Sequence, residues 1–199
     1  MKTKFIFHRI NKIQELRSLP TEYGVEVDIR SSANELICAH DPFCGGEVFL
    51  GWVKAYNHSL LVLNIKEEGI ESVALKILRE NKIHNYFLLD VSFPFTVKLA
   101  NKGIKKIAYR VSDLEFLELD KFNNNNLQWI WLDAFHSFPS DELEKLHFLR
   151  DNFAVKICLV SPELHLDRNQ EISNKILQEI QESNFFFDAI CTKNSNLWK

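Results

Sequence analysis

Glu26, Asp28 and Arg30 occupy alternate positions of the stretch Gly24–Arg30, interleaved with Val25, Val27 and Ile29, and a His40-Asp41 pair follows Asp28 after a short apolar run. Side chains alternate faces along a strand, so the apolar set packs on one side and the ionic set points to the other. Two carboxylates two residues apart on one strand face repel when both are ionised, unless a cation lies between or near them. Ligands that are all oxygen favour a hard ion, Mg2+ or Ca2+, over zinc. Arg30, Arg9 or Lys66 could instead neutralise the pair as a buried ion network. Taken alone, His40-Asp41 could equally belong to a solvated loop, and spacing leaves both alternatives open.

Strand-forming runs rich in Ile, Val, Leu, Phe, Trp and Tyr would position these groups: residues 4–8, 24–30, 60–66, 86–91, 105–111, 129–135, 154–160 and 187–192. Helical spacing is predicted between them over 12–19, 48–56, 70–81, 95–101, 114–122, 141–152 and 170–182. Ser112 and Ser140 suit N-caps, and Gly103 suits a helix stop. The run 35–39 adds a short strand or extended loop after the second strand, and the tract Asn123–Asn126 reads as a surface turn. Eight strands alternating with helices predict a parallel sheet closed into a (β/α)8 barrel, an α/β TIM-barrel fold in one compact domain over 1–199. An open doubly wound sheet is the alternative. No GxGxxG or GxxxxGK[ST] follows a strand, which removes the usual nucleotide-binding reason for one.

Composition narrows the class. With 199 residues and 46% hydrophobic content the chain can bury one substantial core. A net charge of -3 offers no basic field for nucleic acid. The N-terminal apolar run before His8 and Arg9 is too short for a signal-peptide core, and no later run approaches a membrane span. Four scattered cysteines without CxxC spacing read as free thiols. The expectation is a cytoplasmic protein with no stable membrane insertion and no nucleic-acid partner; these features leave its oligomeric state open.

In a barrel, chemistry gathers at the C-terminal ends of the strands. Those ends carry His8-Arg9, then Glu26, Asp28 and Arg30, Asn64 and Lys66, Asp90 and Ser92, Tyr109, Arg110 and Ser112, Asp133, Glu163, and Thr192-Lys193. The ordered set resembles the glycerophosphodiester phosphodiesterase family of barrel enzymes. That family's His-Arg reads here as His8-Arg9, its Glu-x-Asp as Glu26-Val27-Asp28, the following turn as Ser32 and Ala33-Asn34-Glu35, and its His-Asp as His40-Asp41. Weaker echoes are Asn64-Ile65-Lys66 for Glu-Ile-Lys, Ser92-Phe93 for Ser-Phe, and Asp188 to Lys193 for the final Asp-Gly-x-x-Thr-Asp.

The resemblance implies metal-assisted hydrolysis of a small phosphodiester substrate. Glu26, Asp28 and Asn64 would hold one Mg2+ or Ca2+, His8 and His40 would be the acid/base pair, and Arg9 and Lys66 would bind phosphate. The chain departs from the pattern in several places. Ile10 stands where the family has Gly, the Glu-Asn-Thr element between the first two strands is missing, and Asn64 replaces a carboxylate, which lowers the expected metal affinity. Asp90, Asp133 and Glu47 are candidates to restore that charge, and Trp52, Tyr56 and Tyr109 either line the pocket mouth or pack. Two other readings follow from these departures: a metal-independent phospholipase C-like lyase, and a catalytically silent barrel that binds a phosphorylated ligand or a partner protein.

Overall fold

The computed structural model describes residues 2–120, 122, 127–165 and 169–198. Its elements group into two compact units, one of Ile6–Leu99 and one of Met1–Phe5 with Ala100–Lys199.

The Ile6–Leu99 unit is organised around β2 (Gly24–Ser32), a strand buried from Gly24 to Ile29. Along one edge it pairs in parallel with β5 (Leu61–Ile65), Val25 opposite Leu61 through Ile29 opposite Ile65. Along the other, Gly24 and Val25 meet Ile6 and Phe7 of β1 (Lys4–Phe7). Beyond β1, the antiparallel β3 (Glu35–Cys38) takes over that edge from Ile29 to Ser32. The two-residue loop Ala33-Asn34, with Ala33 at φ 51, turns β2 into β3 and carries β2 two residues past its predicted end. A two-residue β4 (Glu47–Val48) extends β3, and β6 (Tyr86–Leu89) extends β5. Helices α1 (Ile13–Ser18), α2 (Phe49–Ala55), α3 (Glu71–Glu80) and α4 (Phe93–Ala100) fall within two residues of their predicted bounds. Leu16, Phe49, Trp52, Ala74 and Leu78 are the fully buried apolar side chains of the first three.

The second unit is a parallel run of β7 (Ala108–Val111), β8 (Trp129–Leu132), β9 (Lys156–Val160) and β10 (Ala189–Thr192). Thr3 and Lys4 bond to the carbonyls of Phe187 and Asp188 ahead of β10. Here α5 (Leu143–Phe153) ends at Ala154 in the left-handed region, and α6 (Gln170–Glu182) is capped by the Asn169 side chain accepting from Glu171 N. Gly103, at φ 79, stops α4 by donating to the Ala100 carbonyl, as its sequence position suggests.

Two local expectations fail. Residues 114–118 of the expected helix 114–122 are irregular. Ser112 Oγ does accept from Leu114 N and Glu115 N, but the Glu115 carbonyl returns to Ser112 N, closing a local turn instead of starting a helix. Ser140 is no N-cap: it opens a 3-10 turn (Ser140–Glu142) ahead of α5, and its hydroxyl donates back to the Phe138 carbonyl. The tract Asn123–Asn126 lies outside the described residues. All four cysteines are free, with Cys38, Cys158 and Cys191 buried and Cys44 exposed. No helix among the described residues is long and apolar enough to cross a membrane.

Candidate functional site

In the Ile6–Leu99 unit, the polar residues singled out from the sequence gather within β2 and β5 and in the segments that follow β1, β3 and β5. β1 stops at Phe7, so His8 and Arg9 belong to the turn that follows, with Arg9 at φ 56. This turn folds over β2 through Glu26. Arg9 N donates to Glu26 Oε2 at 2.6 Å, and Ile10 N donates to the Glu26 carbonyl at 2.8 Å. The left-handed position is Arg9 and not residue 10, which is why Ile10 can stand where glycine was expected. Trp52, wholly buried on α2, donates from Nε1 to the Ile10 carbonyl; it is a packing residue and lines no mouth. Tyr56 stacks on Trp52 at 5.7 Å.

Asn11 is the residue that sequence reasoning missed. Its Nδ2 donates to Asp28 Oδ2 and its Oδ1 accepts from Asp28 N, both at 2.9 Å. The clamp fixes one carboxylate oxygen and turns the other, Oδ1, away. Its signal in the sequence is slight: one amide two residues after His8-Arg9, bonding to a strand seventeen residues on.

Glu26 and Asp28 are both fully buried. Asp28 stands opposite Asn64 in the β2–β5 register. Lys66, just past β5, places Nζ 3.6 Å from Asp28 Oδ1 and 3.5 Å from Asp90 Oδ2. Burial, reinforced by the Asp28 charge, pushes the Glu26 carboxyl up to about 8; Arg9 N–H, Asn64 and Lys66 oppose the shift without cancelling it.

His8 Nε2 lies 3.8 Å from Glu26 Oε2, with its side chain 15% exposed. His40, 35% exposed, directs Nδ1 to Asp41 Oδ1 at 2.7 Å and Nε2 to Arg9 Nη2 at 2.7 Å. Its hydrogen bond to Asp41 holds that exposed carboxyl below the usual range. The backbone on either side is fixed: the His40 carbonyl accepts from Arg30 Nε, and Ala39 N donates to the Asp28 carbonyl.

Among the described residues, no three His, Cys, Asp or Glu side chains are grouped to hold a metal ion. The donor set still suits a hard cation. Glu26 Oε1, Asp28 Oδ1 and Asn64 Oδ1 are buried oxygens without hydrogen-bond partners, two from carboxylates and one from an amide. Of the candidates for added charge, Asp90 reaches Lys66, whereas Glu47 is engaged by Ile13 N through Oε1. Asp133 belongs to the other unit, held by Arg110 and His165 at 2.9 and 2.7 Å. In that unit Glu163 accepts from the hydroxyls of Ser161 and Thr192 and from Lys193 N. Tyr109 packs edge-on against Phe122.

No protein-family model matches the chain, and no curated protein does. Solved structures do. A glycerophosphoryl diester phosphodiesterase from Parabacteroides distasonis superposes with a TM-score of 0.68 at 11% identity, covering 98% of this chain and 85% of the other. A glycerophosphodiester phosphodiesterase from Agrobacterium tumefaciens gives 0.62 at 14% identity, covering 99% of both chains. The likeness is one of fold, and by it the chain has the α/β, (β/α)8 fold class of these proteins.

Proposed function

We propose that the chain is a phosphodiester hydrolase of the glycerophosphodiester phosphodiesterase kind, acting on a small glycerophosphodiester or related diester. The observation that carries this reading is one cluster in which His8 lies beside the buried Glu26 carboxylate, Lys66 beside the buried Asp28, and His40 is joined to the same turn through the Arg9 guanidinium. The fold likeness to two such proteins supports it.

Glu26, Asp28 and Asn64 would hold one Mg2+ or Ca2+, which when bound supplies positive charge against a phosphoryl oxygen. The residues do the rest. The Arg9 guanidinium holds the non-bridging oxygens with Lys66 beside it, placing fixed positive charge where negative charge grows. His40, oriented by Asp41, takes the proton from the attacking hydroxyl or water. His8, beside the Glu26 carboxyl, gives its proton to the departing alkoxide. We place the protein in the cytoplasm on the strength of its four free thiols, and treat 1–199 as one functional domain.

A specific observation favours a second reading, a metal-independent lyase. The Glu26 carboxyl keeps its proton up to about 8, and an amide stands at position 64, so the pair can be neutralised without an ion. Phosphorus NMR of a glycerophosphodiester panel with Mg2+, with Ca2+ and with EDTA separates the two. Metal-dependent release of a phosphomonoester supports the hydrolase, and a cyclic phosphate formed in EDTA supports the lyase. Absence of conversion across the panel overturns both.

A further inference from the structure

The contact between Arg9 and His40 settles which ring nitrogen of His40 carries the proton. A guanidinium has no acceptor and does not lose its proton in a protein, so at 2.7 Å Arg9 Nη2 donates and His40 Nε2 accepts. The ring proton then sits on Nδ1, donated to Asp41 Oδ1. His40 is therefore a neutral base whose lone pair is already occupied. A lone pair engaged by an arginine cannot take a proton from a nucleophile.

Both backbones at this contact are tied down. Arg9 N is bonded to Glu26, the His40 carbonyl accepts from Arg30 Nε, and Ala39 N is bonded to the Asp28 carbonyl. The Arg9 side chain is exposed. A phosphodiester anion offers it two non-bridging oxygens in the fork geometry a guanidinium prefers. Such charge-assisted, paired hydrogen bonds are roughly twice as strong as neutral ones.

Resting on the phosphodiester reading above, we propose that Arg9 masks the general base, and that a bound diester unmasks it by drawing the guanidinium from His40 Nε2 onto its phosphate. One movement then delivers positive charge to phosphorus and a free lone pair to the nucleophile. A ligand without an anionic phosphate leaves the base covered, so selection for the diester is made at the proton-transfer step as well as at binding.

Nitrogen-15 NMR of the His40 ring tests this, with dimethyl phosphate as probe, since that anion has no proton to donate to Nε2. In the ligand-free wild type, Nδ1 should be protonated, and Nε2 unprotonated but displaced from its position in Arg9→Ala. Saturating dimethyl phosphate should move the wild-type Nε2 signal to the Arg9→Ala position and leave the variant's signal in place. Coincident Nε2 signals in wild type and variant without ligand overturn the mask, as does a wild-type signal that stays put at saturation. Turnover of glycerophosphodiesters by the same wild-type sample is scored separately. A failed mask with turnover intact leaves the hydrolase reading standing, and a moving Nε2 without turnover overturns the hydrolase reading but keeps the Arg9 exchange.

Discussion

Asp28 and Asn64 face one another across the parallel ladder between β2 and β5, so the residue that would complete an acidic trio is an amide set directly against a buried carboxylate. The missing charge has a measurable counterpart. Asn64→Glu should tighten Mg2+ binding by about tenfold, as read by calorimetry, because a third carboxylate gains more from a cation than an amide oxygen does. Without a cation the same change should lower stability, since three buried acids then crowd one site. Unchanged Mg2+ affinity would mean that residue 64 does not contribute to a cation site.

The histidines should affect turnover and leave the fold intact. His8 and His40 lie in loops beyond strand ends and neither is a core residue, so His8→Ala and His40→Ala should each cost roughly 10²–10⁴ in kcat. Their melting temperatures should stay within a few degrees of wild type. Either variant retaining full kcat removes that histidine from the acid/base pair.

Glu26 makes its own contribution to the pH dependence of the ligand-free protein. Its carboxyl binds its proton more tightly folded, at about 8, than at its unperturbed 4.5, so between these values the folded chain holds more protons than the unfolded one. The stability from this group is complete below about 4.5 and is lost as pH rises through about 8. Denaturation in EDTA across that window should show stability falling with pH, and Glu26→Gln should flatten the fall. A wild-type profile that rises over the same range contradicts the assignment.

The parts of the site that were legible in the sequence are those set by strand periodicity. Glu26 and Asp28 alternate with Val25, Val27 and Ile29, and a strand of that pattern has one way to bury its apolar face, so the carboxylates had to share the other. Ile10 and Asn11 of the turn after His8-Arg9 were illegible because they act through backbone partners. Ile10 is held by its N–H and carbonyl, and Asn11 matters for an N–H and a carboxylate on a different strand. Residues 114–118 failed for a related reason. Ser112 supplies a hydroxyl that can start a helix or close a turn, and only the returning Glu115 carbonyl decides between them.

Asn11 should prove a determinant of Asp28 geometry. Asn11→Ala removes both partners of a buried carboxylate and its own N–H, and should cost about 1–3 kcal/mol in chemical denaturation. Asn11→Asp, which keeps the size but sets a second negative charge against Asp28 Oδ2, should cost more. A cost for Asn11→Ala below about 0.5 kcal/mol, the range of surface substitutions, would mean the clamp is dispensable.

The loop after His40 returns to the sheet through a close backbone approach that only glycine allows. A Cβ at Gly46 would lie 2.4 Å from the Cys38 carbonyl oxygen and 3.0 Å from its carbon, and backbone atoms in a paired strand cannot move aside as a flexible side chain would. Gly46→Ala must therefore push β4 off β3, breaking the pairing of Cys38 with Glu47 and disturbing the Glu47 bond to Ile13 N. A loss of about 1–3 kcal/mol is expected. Turnover should fall as well, because β3 delivers Ala39 and His40 to the site. Gly45, where a Cβ would meet nothing within 4 Å, is the control in the same loop: Gly45→Ala should stay within about 0.5 kcal/mol of wild type. Equal losses in the two variants, read by chemical denaturation, would show that general loop stiffening and not the approach to Cys38 sets the cost.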